Sequence, residues 1–116
     1  MQRAIVQRAI VQRAIIQANT VIGNHVLINT GITIDHDNVI GDFVHIAPGS
    51  FLCGHVEVGE GSLRGVGVTV RPGIKVGRWC TVGAGAVVTA NLPDYCTAVG
   101  VPATMVAMSL LSDLFG

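Results

Sequence analysis

The chain has 116 residues, half of them hydrophobic, and its seven basic and seven acidic side chains cancel to a formal net charge of zero. That length fits one domain, and the neutral balance argues against nucleic acid as the main partner. No apolar run approaches the roughly 20 residues of a membrane span, so no membrane partner is expected either.

Cys53, Cys80 and Cys96 are odd in number and lack metal-ligand spacing, which suits free thiols in a reducing cytoplasm. The start lacks the basic region and apolar core of a signal peptide, so a cytoplasmic location is expected. Gln-Arg-Ala-Ile-Val instead recurs there with a period of five, at Gln2–Val6 and Gln7–Val11, and a third copy, Gln12–Ile16, ends in Ile. Five matches neither a helix stripe of about 3.6 nor strand alternation of about 2. Near-perfect short duplication is typical of low complexity or an engineered segment. Residues 1–17 therefore read either as an irregular or disordered cap or as an extra coil, since Ala14 and Ile16 already fit the frame that follows. Some cap is needed, because an open solenoid end exposes core and strand edges.

From Thr20 to Asn91 a period of six runs without insertion. One column is aliphatic from Ile22, Ile28 and Ile34 through to Val82 and Val88, broken only by Arg64. Two residues before each member stands a small, β-branched or aliphatic residue, with Asn38 as the exception. Positions two apart on a strand point the same way, so each six holds a short strand with two inward residues. Gly, Asn, Asp and Pro between the strands permit turns. Three strands and three turns close a triangular coil of eighteen residues, and coils stack through parallel ladders about 4.8 Å apart. The fold class expected is all-β, a parallel β-helix over residues 18–101.

Stacking at eighteen puts Ala18, His36, Gly54, Pro72 and Ala90 in one corner column and Asn19, Asp37, His55, Gly73 and Asn91 in the next. His45 falls between Leu27 and Leu63 on the outside of a flat face. Val21, Leu27, Val39, Phe51, Leu63 and Val87 point outward in this frame, which suggests an interface. Arg64 points inward, and a buried guanidinium without a partner is costly. A one-residue slip reverses facing, so a bulge that turns Leu63 in and Arg64 out is expected. After Val88 the period stops. Ala98–Val101 is expected to return as a closing strand. Pro102 opens a short C-terminal capping helix over residues 102–116, with its body from Met105 to Phe115.

Three stretches carry a resemblance. They are Ile34-Asp35-His36-Asp37 with Val39-Ile40-Gly41-Asp42-Phe43-Val44-His45-Ile46-Ala47-Pro48-Gly49, then Val82-Gly83-Ala84-Gly85-Ala86-Val87-Val88, then Val99-Gly100-Val101-Pro102-Ala103. On these the chain resembles the hexapeptide-repeat sugar O-acyltransferases of the sialic-acid O-acetyltransferase type, a group that includes N-acetyltransferases of UDP-linked amino sugars. The resemblance implies a left-handed coil, a homotrimer, acetyl-CoA as cosubstrate and a sugar acceptor. It implies His36 as general base, Asp37 as the acidic neighbour that raises its basicity, and His45 in contact with acetyl-CoA. It places Val66 and Ala84, with Gly65 beside them, along the CoA groove.

Elementary chemistry agrees in part. Histidine titrates near neutrality, as a base for acyl transfer should, and a nearby carboxylate stabilises the imidazolium. Gly54, stacked on His36, leaves room and a bare N–H that could meet an oxyanion. A corner histidine is also an ordinary solvated turn residue. His36 and His45 lie on opposite sides of one coil, so a shared site needs two subunits. The intervals between His25, His36, His45 and His55 are eleven, nine and ten, without the close pair of a hexapeptide carbonic anhydrase, so no metal is expected. No glycine-rich fingerprint of a nucleotide-sugar βαβ domain precedes the solenoid, and Thr104 stands where a basic residue often follows Pro-Ala. The chain reads as a truncated or engineered solenoid. Two functions follow from this: a CoA-dependent acetyltransferase domain acting on an amine or hydroxyl of a nucleotide-linked sugar, or an inactive trimeric scaffold that keeps the site residues.

Overall fold

In the computed structural model, which describes residues 5–6 and 9–109, each six-residue unit becomes a two-residue strand and a turn. The strands fall on three faces. Face A stacks β1 (Ile5–Val6), β4 (Val21–Ile22), β7 (Val39–Ile40), β10 (Glu57–Val58) and β13 (Lys75–Val76). Face B stacks β2 (Ile10–Val11), β5 (Leu27–Ile28), β8 (His45–Ile46), β11 (Leu63–Arg64) and β14 (Thr81–Val82), then β16 (Cys96–Val99) and β17 (Thr104–Met108). Face C stacks β3 (Ile15–Ile16), β6 (Thr33–Ile34), β9 (Phe51–Leu52), β12 (Thr69–Val70) and β15 (Val87–Val88). Within each face the coils pair in parallel, as at Val21↔Val39 and Leu27↔His45. No helix of the described residues is long and apolar enough to cross a membrane.

In β4–β10 and β12–β15 the second residue of the strand enters the core, as does the residue two before it. Ile22, Ile28, Ile34, Ile40, Ile46 and Leu52 are all buried. Polar residues in this register have partners: the Ser62 hydroxyl accepts the Cys80 N–H at 2.9 Å and donates to the Gly77 carbonyl. Each corner turns on one residue in the left-handed region. The corner between faces C and A uses Asn19, Asp37 and His55 (φ 60°, 60° and 58°) and then Gly73 at 73°. That conformation costs an L-residue about 1–2 kcal/mol, least for Asn and Asp.

The described part of residues 1–17 forms a first coil. Its strands pair Ile5↔Val21, Ile10↔Leu27 and Ile15↔Thr33, at separations of sixteen, seventeen and eighteen. A five-residue repeat thus reaches the same three faces with turns one residue shorter, and Ala9, Ala14 and Ile16 pack against the core. The other end corrects an expectation. Residues 104–108 are a strand, antiparallel to β16, and not the start of a helix. The last coil offers β16 as an open edge of backbone N–H and C=O groups, and a hairpin partner satisfies them where a helix would not. Residues 110–116, with the rest of the expected helix, lie outside the described residues.

β11 is the irregular strand. Leu63 is 1% exposed while Arg64 faces solvent. The slip therefore occurs, and Leu63 leaves the set of outward apolar residues. Both residues take positive φ, 90° and 94°, and only Leu63↔His45 remains of the pairing to β8. Desolvating a guanidinium would cost more than this backbone strain. Leu63→Ala should therefore destabilise the chain by about 2–5 kcal/mol. Arg64→Gly, which relieves a positive φ, should raise the melting temperature. Thermal unfolding followed by circular dichroism checks both. An Arg64→Gly variant that melts below the parent would contradict the assignment of strain.

Candidate active site

The turn Asp35–Asn38 joins β6 to β7 at the corner between faces C and A. The Asp35 carboxylate accepts the His36 N–H at 2.8 Å. Asn38 points into the core and is fully buried. Its Nδ2 donates to the Asp35 carbonyl at 2.7 Å and to the Cys53 carbonyl of the next coil at 2.9 Å, with the His36 carbonyl at 3.3 Å. Thr20, one coil below, donates its hydroxyl to Asp35 O at 3.1 Å. An amide has two N–H donors, and both are spent on backbone of the histidine turn and its neighbour. Among the described residues the Asn38 Oδ1 has no hydrogen-bond partner. The turn is thus clamped from inside. A polar residue in an aliphatic column, two positions after His36, was the visible signal of this.

His36 is held on the outside. Its Nδ1 lies 2.9 Å from Asp37 Oδ2. An ionised carboxylate only accepts, so Nδ1 carries the proton and Nε2 keeps its lone pair. The hydrogen bond from His36 is the largest influence that holds the Asp37 carboxyl below its ordinary pKa; burial opposes it, and Asn19 and the charges of His55 and His36 add to the lowering. Asp37 is therefore ionised at neutral pH, where the pair with His36 is intact. The imidazole packs against Gly54, where a Cβ would come within 2.9 Å of the ring. A side chain at that position would have to displace the ring. His55 packs edge-on against His36, with centroids 5.2 Å apart.

His45 is elsewhere. It is half-buried on face B, opposite the corner that carries His36, so one chain does not bring the two together. Its Nε2 lies 3.4 Å from Asn29 Nδ2. The amide nitrogen can only donate, so Nε2 accepts and Nδ1 carries the proton, with no partner among the described residues. Sequence reading did not single out Asn29. Val66 and Ala84 lie on a third part of the prism, the exposed ridge between faces B and C, where the Gly85 N–H donates to the Val66 carbonyl at 2.8 Å. Gly65 beside them faces a close approach, since a Cβ there would sit 2.3 Å from the Val82 carbonyl. A shallow groove of about 220 Å³ on face A, lined by Glu57, Lys75 and Arg78, is away from both histidines. Its cations are engaged, Lys75 with Glu57 at 3.4 Å and Arg78 with Asp94 at 3.1 Å.

Two of the three thiols, Cys53 and Cys96, are disfavoured as thiolates. Burial, and then the neighbouring Cys80, push the Cys96 thiol up to about 12. Burial and then Asp35 raise Cys53. Such thiols stay protonated at neutral pH.

No family model matches the chain. It is 35% identical, in an alignment 96 positions long that covers 74% of this chain, to serine acetyltransferase from Haemophilus influenzae, of which it covers 36%. It superposes on the acetyltransferase domain of PglB from Neisseria gonorrhoeae, solved in complex with acetyl coenzyme A, with a TM-score of 0.84 and 42% identity, over 89% of this chain and 51% of that one. It superposes on PerB from Caulobacter crescentus, solved in complex with CoA and GDP-perosamine, with a TM-score of 0.81 and 40% identity, over 90% of this chain and 54% of that one. The chain thus spans between a third and about half of the length of these relatives. A coil of the opposite hand would not superpose at such scores, so the hand is left, as in the acetyltransferase β-helices. By sequence and by superposition, this left-handed parallel β-helix is that of the hexapeptide-repeat acyltransferases, which the chain matches over most of its own length.

Proposed function

We propose that the chain is an acetyl-CoA-dependent acetyltransferase domain that transfers acetyl to an amine or hydroxyl of a nucleotide-linked sugar. The observation that carries this reading is the His36–Asp37 pair, 2.9 Å apart, with the proton on Nδ1 and a lone pair on Nε2. The acetyl coenzyme A bound to the PglB domain and the CoA and GDP-perosamine bound to PerB support the substrate classes.

In this reaction His36 Nε2 takes the proton of the acceptor nucleophile as it attacks the thioester carbonyl carbon. Asp37 stabilises the imidazolium that forms. The tetrahedral intermediate collapses, the carbon–sulfur bond breaks, and the imidazolium returns its proton to the departing CoA thiolate. His45 Nδ1–H contacts the acetyl thioester, and Gly65, Val66 and Ala84 border the CoA groove. Since His36 and His45 occupy opposite sides of one coil, the working site lies between subunits, with one chain's corner against the next chain's face B, in a homotrimer. Outward Val21, Val39 and Phe51 are exposed in the single chain and suit burial in that assembly.

His36→Asn should lower acetyl transfer by about 10²–10⁴-fold and leave CoA affinity unchanged. His45→Ala should instead weaken CoA. Calorimetry with CoA and a thiol-release assay over a panel of amino sugars separate the two steps; a parent chain that binds no CoA would favour the inactive scaffold. Asn38→Val removes the clamp without touching the solvent side of His36. It should destabilise the chain by about 1–3 kcal/mol, because Asp35 and Cys53 lose a donor. It should also reduce kcat while leaving KM for acetyl-CoA unchanged. In sedimentation velocity at micromolar concentration the chain should run as a trimer; a stable monomer would overturn the shared site.

A further inference from the structure

His36 and His55 are nineteen residues apart, one coil plus one residue, so a coil of eighteen sets them on adjacent layers of one corner. Gly54 offers no Cβ, and the His36 ring uses that space to reach His55 in an edge-on contact with planes at 86°. Asp37 Oδ2 stands with both, 2.9 Å from His36 Nδ1 and 3.8 Å from His55 Nε2. One donor atom from each of the three residues lies within 4.8 Å of the others. We propose that His36, Asp37 and His55 form a binding site for a divalent first-row transition-metal ion of the zinc type, one that blocks His36 when filled.

The spacing suits such an ion. Zinc holds nitrogen and oxygen ligands at about 2.0–2.2 Å in a tetrahedron, which sets ligand separations of about 3.3–3.6 Å. The two short separations here fall on either side of that range, so small side-chain rotations close the site. The backbone is already in place. Asp37 and His55 both hold the left-handed corner conformation, and the His55 N–H donates to the His36 carbonyl at 3.0 Å, which locks the two layers together. The next member of the His55 column is Gly73, where a Cβ would meet nothing within 4 Å, so the site is open above for entry and for a bound water. Two imidazoles and one carboxylate favour zinc, copper, nickel or cobalt over magnesium and calcium.

Binding at Nδ1 requires the other neutral tautomer, with the proton on Nε2. The lone pair assigned to the base is then gone. The inhibitory consequence rests on the proposed acetyl transfer, whereas the binding does not.

Calorimetric titration of the full chain with zinc chloride, without acetyl-CoA, tests the site, and cobalt(II) serves as an optical probe. One ion per chain is expected. Asp37→Asn and His55→Asn, in which Asn tolerates the corner backbone, should each weaken zinc at least tenfold, and His25→Asn should leave it unchanged. Cobalt spectra should lack a thiolate-to-metal band. His55→Asn that binds zinc as tightly as the parent, a thiolate band, or no binding at millimolar zinc would each overturn the proposal. Zinc bound as described in a chain without transferase activity would support the site and count only against the proposed reaction. Transfer that proceeds at full rate in saturating zinc would count against the blocking role.

Discussion

Parallel backbone pairing between coils sets the dimensions of everything else. Strand N–H groups on one layer meet carbonyls on the next, as Val39 N–H meets Val56 O at 2.9 Å and Val21 N–H meets Asn38 O at 2.9 Å. Strand separation is nearly constant in such ladders, so residues one coil apart are forced into contact whatever their side chains are. Glycine at Gly59, Gly65 and Gly77 follows directly, because a Cβ at each would press on the backbone of the coil above. The same constraint turns sequence separation into chemistry. His36, Gly54 and Asn38 matter to one another because they lie one layer apart or less.

The pairing also explains why the chain tolerates its irregularities. A five-residue repeat at the start still reaches faces A, B and C, because the ladder requires aligned strands and not equal turns. At β11 the core requirement overrides local backbone preference: Leu63 and Arg64 accept positive φ so that the aliphatic side chain enters and the guanidinium leaves. At the far end the open edge of β16 is closed by an antiparallel partner. In each case the core or the ladder prevails over local pattern, in keeping with the small energies of individual turns beside the cost of a buried charge or an open edge.

The chemistry of the corner depends on burial from behind and exposure in front. Asn38 holds the carbonyls of the His36 turn from the core, while Asp37 orients the imidazole from the solvent side. A residue that looked like a flaw in the hydrophobic column is thus tied to the histidine turn. His45 lies on the opposite face, with Asn29 setting which of its nitrogens can donate. This separation is the physical ground for the proposal of a site shared between chains.

Much of this was legible in the sequence. The period of six, the inward column and the eighteen-residue stacking determined the prism, its core and the corner that holds His36 and Asp37, because a strand's alternation and a regular coil leave no freedom once the period is unbroken. The slip at Arg64 was legible for the same reason, since an inward charge needs an escape and Leu63 was adjacent. Tertiary structure alone decided the rest. The hand of the coil is not encoded in a period. Residues 104–108 became a strand because an edge awaited them, although Pro102 and the apolar run suggested a helix. The role of Asn38 depended on three carbonyls whose positions only the folded turn fixes. The meeting of His36 with His55 required the missing Cβ of Gly54. Spacing counted along the chain had pointed away from any such cluster, because contact between layers depends on which space is empty as well as on which residues are stacked.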